Sequence, residues 1–328
     1  MSVFEGLSLK RQVIAIGLIL AVGIVFALGM VAPHAEPPIF FDDYEEIELA
    51  ELIPPPEELP EPSRAERIMR ALAEAYPRRV LKAEYRNGDW AVLLRDTWFY
   101  YAEGRLLPAE LLYRIPQYRP LAFYDNYPRE MPSWTPPSPE QVARFRELSG
   151  AGTRAAQLPR APHFFDTLYR ARSFHESYTR VKTMRFLGNP VTVHHAIMEE
   201  LALVERRILD TAETDARVRA WVNNIDRVYG WHWRNVGGTQ SRSFHSYGAA
   251  VDIMPRVSGG RAVYWRWAGP NWFNIPYERR YHPPNAVVEA FEAYGFVWGG
   301  KWSFFDTIHF EFRPEVIILS GIQMSTVR

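Results

Sequence analysis

His245 and Asp252 stand seven positions apart in SRSFHSYGAAVDI, with Gly248 and two alanines between them. Asp252 sits inside an apolar run, AAVDIM, where a carboxylate is costly unless it is paired or holds a metal. A strand with one stray histidine upstream is the plainer alternative. A second histidine, His309, lies in the alternating run IHFEF, three residues after Asp306. Two histidines and one carboxylate are the protein ligands of a catalytic zinc ion, which keeps its fourth position for water. Asp306 could then take a proton from that water as it attacks a carbonyl. The chain has no H-E-x-x-H segment, so one helix does not supply both histidines.

These residues need a sheet and a tight turn to meet. Ala249 to Ile253 and Ile308 to Phe312 both read as strands, and Gly248 allows a turn just before the first. Upstream, PEQVARFREL is a helix with Ser138 as its N-cap and Pro139 at its first position. FFDTLYRARSFHESYTRV continues in helical phase, PVTVHH is a short strand or turn, and AIMEELALVERRILDTA and DARVRAWVNNI are amphipathic helices. The neighbours His194 and His195 would point to opposite faces of a strand, which argues against a shared metal. Residues 64–76 carry helical periodicity, and Asn87-Gly88 marks a hairpin between β-rich segments.

Residues 12–32 form 21 uncharged positions, all but Gln12 apolar, enough to cross a hydrocarbon core of about 30 Å. Lys10 and Arg11 precede them, which keeps the tail inside and sends the rest out. A cleaved signal peptide is the rival, but its apolar region is shorter, and either way the remainder is exported. From Glu36 to Pro62 there are ten acidic residues and no Lys or Arg, with many prolines, so this stretch reads as an extended spacer. Residues 63–328 carry 36 Lys+Arg against 27 Asp+Glu, a formal +9 that favours anionic partners. The absence of cysteine excludes disulfides, thiolate zinc sites and a thiol nucleophile.

The expected organisation is a cytoplasmic tail (1–11), a transmembrane anchor (12–32), an acidic Pro-rich linker (33–62), a β-containing accessory module (63–137) and a catalytic domain (138–328). The expected class is α+β, with a small, mainly antiparallel sheet carrying the metal and helices flanking it.

SFHSYGAAVDI fits S-x-H-x-x-G-x-A-x-D, and YGFVWGGKWSFFDTIHFEF is an aromatic-rich run ending in Asp-x-x-His-Phe-Glu. Together these segments resemble the M15 zinc peptidases, the D-alanyl-D-alanine carboxypeptidase group, and most closely its L-alanyl-D-glutamate endopeptidase branch. The resemblance covers about residues 191–314. It implies Zn2+ on His245, Asp252 and His309, with Asp306 as general base. It also implies a positive group facing the substrate, for which Arg234 is the candidate, with Arg242 behind it. The implied substrates are peptidoglycan stem peptides outside the cytoplasmic membrane, not nucleic acid. A non-catalytic wall-binding protein on the same fold, or a peptidase for another exported peptide, are the alternatives.

Lys301 stands where relatives often carry an acid, and could alter which peptide carboxylates are tolerated. The aromatic segment 255–284 reads either as a loop over the cleft, lined by Trp265, Trp267, Trp272 and Tyr281, or as a self-packed loop. Glu311 shares a strand face with His309 and could orient it, bind substrate or form a rim salt bridge.

Overall fold

The computed structural model describes residues 62–121, 127–131 and 133–325. The expected anchor and all but the last residue of the acidic linker lie outside the described residues. Among the described residues, no helix is long and apolar enough to cross a membrane.

The first helix, α1 (Arg64–Ala75), starts at Ser63, whose side chain caps the Glu66 amide. Its face carrying Ile68, Met69 and Leu72 is buried. A four-stranded antiparallel meander follows: β1 (Val80–Arg86), β2 (Asp89–Leu94), β3 (Thr97–Tyr100) and β4 (Leu107–Pro108). Asn87 and Gly88 turn the first hairpin, with φ of 51° and 85°. Two positive φ angles are what a primed turn demands, and an Asn-Gly pair supplies them.

Helix α2 (Pro139–Ser149) opens with the expected Ser138 cap, reinforced by Gln141 into a reciprocal capping box. Short α3 (Ala151–Ala156) follows. The segment expected to run on as one helix is broken. α4 (His163–Tyr169) stops at Arg170, which is left-handed at φ 49°, and α5 (Phe174–Tyr178) restarts from a Ser173 cap. Periodicity alone does not register the stop, because the left-handed turn falls at an ordinary arginine rather than at a glycine or proline.

A hairpin of β5 (Val181–Phe186) and β6 (Asn189–His194) leads into α6 (Met198–Thr214) and α7 (Ala216–Asn223). Leu201, Val204, Ile208 and Ala212 bury one stripe of α6. The second sheet has the order β7-β8-β10-β9, all antiparallel: β7 (Ile225–Tyr229), β8 (Ala250–Pro255), β10 (His309–Phe312) and β9 (Phe296–Trp298). Helix α8 (Asn285–Glu292) covers one face, and α9 (Pro314–Leu319) follows the last strand.

Alternation along β10 divides the sheet's two faces. Phe310 stacks on Phe291 of α8 with ring centroids 3.8 Å apart, and Phe312 packs on Phe296 and Tyr76. His309 and Glu311 therefore face the other way. One continuous apolar cluster runs from Ile68 in α1 through the second sheet to Ile317 in α9, so the N-terminal meander and the site-bearing sheet share a core.

The segment 255–284 packs on itself and on α2. Trp265, Trp272, Phe273 and Phe305 form a second buried cluster against Val142, Phe145 and Phe304. Trp265 and Trp272 are core residues of this cluster rather than a cleft lining, because each large ring finds partners there that remove it from water.

Candidate metal centre

His309 and Asp252 are direct partners across β10 and β8, so both side chains project from one sheet face. His245 comes from a single 3-10 turn, Phe244–Tyr247, that ends at Gly248. Gly248 has φ 67°, and a Cβ there would lie 2.6 Å from the His194 amide nitrogen. Only glycine lets the chain turn this sharply and drop onto β8.

The facing atoms form a triangle. His245 Nε2 is 3.2 Å from His309 Nδ1 and 3.2 Å from Asp252 Oδ1, and His309 Nδ1 is 2.8 Å from the same oxygen. Three ligands about 2.0–2.1 Å from a tetrahedral ion stand about 3.3 Å from one another, so the triangle matches one face of such a shell. The remote ring atoms are already committed. His245 donates from Nδ1 to the Gly230 carbonyl at 2.6 Å, and His309 Nε2 donates to Glu311 Oε2 at 3.2 Å. Both tautomers thus turn a lone pair inward, beside a carboxylate. This donor set asks for a cation.

The electrostatics agree. Burial pulls the His309 imidazole down, but Asp252 and Glu311 outweigh it and push it up to about 10. Burial pushes the Asp252 carboxyl up, yet His245 and His309 overcome it and hold it well below the usual carboxylate range. The centre favours positive charge at its midpoint, which a proton or a metal ion can supply.

Glu311 is 5% exposed and bridges His309 Nε2 to Arg313 Nη1, the latter at 3.3 Å. Of its expected roles, orientation of the ligand is the one the contacts support. Arg313 also pairs with Glu315, which accepts a 2.8 Å hydrogen bond from the Tyr76 hydroxyl. A buried polar chain thereby links His309 to the end of α1. Sequence alone pointed to none of Arg313, Glu315 or Tyr76, because no local spacing joins residues 239 positions apart.

Asp306 sits in the turn before β10, held by its amide to Gly299 and by a bridge to Tyr264. Burial pushes its carboxyl up to about 7; His309 and Arg234 oppose this and Asp252 adds to it. Its Oδ1 is sealed from solvent with no hydrogen-bond partner. Such an oxygen is a poised proton acceptor. Tyr264, whose hydroxyl is raised by burial and by Asp306, is a neighbour that only the folded loop brings there.

Arg234 is exposed; its amide donates to Ser246 Oγ at 2.8 Å and its guanidinium to the Asn235 carbonyl at 3.4 Å, while its charge reaches Asp306. Arg242 is engaged elsewhere. It pairs with Asp166, donates to the Ala171 carbonyl at 3.0 Å and lies against the Trp233 ring. Lys301 does not face a substrate: it is 6% exposed, pairs with Glu292 at 2.6 Å and donates to the Pro128 and Arg129 carbonyls, both at 3.0 Å. Its run of glycines and aromatics folds inward, which turns the ammonium toward the residues 127–131 instead of the cleft.

Two histidines and one aspartate on an antiparallel sheet, with the half-buried Asp306 carboxylate beside them, could hold a metal ion and place a base next to it. Residues 237–312 match the model of an M15 peptidase family described as D-alanyl-D-alanine carboxypeptidase. Residues 68–123 match a second family, described as a domain of unknown function (DUF8518). No solved structure matches the chain.

Proposed function

We propose that the protein is a zinc-dependent peptidase that hydrolyses peptidoglycan stem peptides, held at the outer face of the cytoplasmic membrane by residues 12–32. The observation that carries this reading is the convergence of His245, Asp252 and His309, with donor atoms all within 4.8 Å, inside a segment matching a D-alanyl-D-alanine carboxypeptidase family. Two nitrogens and one carboxylate oxygen suit zinc. Zinc in this position supplies a Lewis acid and an acidified water.

The chain's own residues do the rest. The Gly230 carbonyl and Glu311 fix the two imidazole tautomers so that lone pairs point inward. Asp306 receives the proton lost by the attacking water and returns it to the leaving amine, a task suited to a carboxyl raised toward neutrality. Arg234, exposed at the rim, steadies the negative charge that grows on the carbonyl oxygen. The +9 balance of residues 63–328 favours an anionic wall polymer.

The test is digestion of purified peptidoglycan with the full chain, with the new termini identified by mass spectrometry. One equivalent of zinc, lost together with cleavage in His245→Ala, is the expected result. A metal-free but folded protein that makes no cut beside a working control enzyme rejects the reading.

A further inference from the structure

One wall of the metal site is aromatic and open to solvent, and the peptidase chemistry makes no use of it. Tyr229 is the direct partner of Asp252 across β7 and β8, just as His309 is from the other side. Directly opposed residues share a sheet face. Tyr229 therefore stands on the ligand face, and it is 50% exposed.

The chain then continues alongside β6, with the Trp231 amide donating to the Thr192 carbonyl at 2.6 Å. Gly230 can carry no side chain here, since a Cβ would lie 2.1 Å from that carbonyl oxygen. Trp231 and Trp233 follow Tyr229 at two-residue spacing. Helix α5 brings Phe174 and Tyr178 against them. These two rings are nearly parallel, at 8°, and both touch Trp231, at 5.3 and 5.7 Å between centroids. Phe174 also meets Trp233 edge-on at 6.4 Å.

The Trp231 indole nitrogen is tied inward to Ser177 Oγ at 2.8 Å, which fixes the ring plane. Phe174 and Tyr178 remain 53% and 60% exposed. Partly exposed aromatic side chains gathered beside a candidate metal centre mark a binding surface.

We propose that Tyr229, Trp231, Trp233, Phe174 and Tyr178 form a platform that seats the sugar rings of a glycan strand next to the metal centre. The chemistry of the patch selects this occupant. Its side chains are flat rings, with the Arg242 guanidinium against the Trp233 ring, and flat rings suit a sugar face better than an aliphatic peptide side chain. A pyranose presents a face of C–H groups, which the negative face of an aromatic ring attracts, and an edge of hydroxyls. Exposed Arg172 and Glu176 at the rim can meet those hydroxyls. The choice of glycan rests on the peptidase reading above, because a wall stem peptide hangs from a sugar strand. The platform joins the site at two points: Tyr229 pairs with Asp252, and the Gly230 carbonyl accepts from His245 Nδ1.

The probe is the N-acetylglucosamine tetramer, titrated into the full chain while tryptophan fluorescence is read. The wild type is expected to give a saturable change. The double variant Phe174→Ala, Tyr178→Ala is expected to weaken it about tenfold or more, the loss of two stacking contacts. The pair Phe174→Tyr, Tyr178→Phe, which keeps both rings, is expected to bind as wild type. Zinc content and circular dichroism report that each variant is folded, and the single variant Phe174→Gln replaces the double one if it is not. No saturable response in the wild type, or equal affinity in the alanine variant, overturns the platform. Cleavage of free stem peptide by the wild type is measured separately. Cleavage without tetramer binding rejects the platform and leaves the peptidase; binding without cleavage supports the platform and counts against the peptidase.

Discussion

His309 and Glu311 stand two apart on β10, and the carboxylate of the second accepts from the ring of the first at 3.2 Å. The same strand face therefore carries a proposed metal donor and the group that aims it. Arg313, fully buried, holds Glu311 from behind. A carboxylate behind a ligating imidazole fixes its tautomer and raises its basicity.

Glu311→Gln should weaken metal affinity by about 10–100-fold without removing a first ligand. Zinc competition against a chelator reads this directly. The fold should survive, because Arg313 keeps Glu315 as a partner. Unchanged affinity would mean that the Gly230 carbonyl and sheet geometry alone set the site.

Asp306→Asn should keep zinc and lose turnover by about 10²–10⁴, the range for a missing general base. The wild type's kcat/KM should rise with pH as Asp306 ionises. Its carboxyl is raised to about 7 by burial, and a cation on the neighbouring ligands opposes that rise, so the acid limb should fall at or below this value. The limb should vanish in the variant. Loss of metal in Asp306→Asn would show that a ligand had been mistaken for the base.

The site was far more legible than its surroundings, for physical reasons. Asp252 and His309 announce themselves as polar groups in apolar strands, whose two-residue period tells which neighbours share their face, and His245 stands just before the Gly248 turn that leads into one of them. Asn87-Gly88 and Ser138-Pro139 declare a turn and a cap through local backbone chemistry. Lys301 was misread because a lysine among glycines looks exposed, whereas its ammonium finds Glu292 nine residues earlier and two carbonyls at 128 and 129. Trp265 and Trp272 posed the same problem, since an aromatic side chain reads alike in a cleft and in a satellite core. The alternation of Tyr229, Trp231 and Trp233 was visible in the sequence. Only the pairing of Tyr229 with Asp252 gives it a place beside the candidate metal centre.

Lys301→Met should destabilise the protein by about 3–5 kcal/mol, the cost of leaving one member of a buried pair uncompensated. Lys301 is the charge that partly offsets the burial of Glu292, and Glu292 in turn accepts from the Tyr127 hydroxyl. Residues 127–131 should become sensitive to protease in the variant. Adding Glu292→Gln should recover part of the loss, because no buried charge is then left alone. Thermal melts of the two variants beside the wild type check both statements.

His194 should make the fold acid-sensitive. Its ring is 3% exposed, with Nε2 donating to the Tyr169 carbonyl at 2.9 Å and Nδ1 accepting from the Ala196 amide at 3.1 Å. Both nitrogens are satisfied only in the neutral ring, since a proton on Nδ1 would face another N–H. Burial, with His195, Arg79 and Arg180 adding to it, lowers the ring to about 3. A depressed histidine contributes stability that is complete above its unfolded value, near 6.5, and is lost as pH falls toward the folded one. The loss should spread between about pH 6.5 and 3 and reach on the order of 4 kcal/mol. His194→Gln, which cannot charge, should be less stable at pH 7 but show a shallower decline over that window. Denaturant melts at half-unit pH intervals measure the two slopes, and parallel slopes would assign the acid sensitivity to other groups.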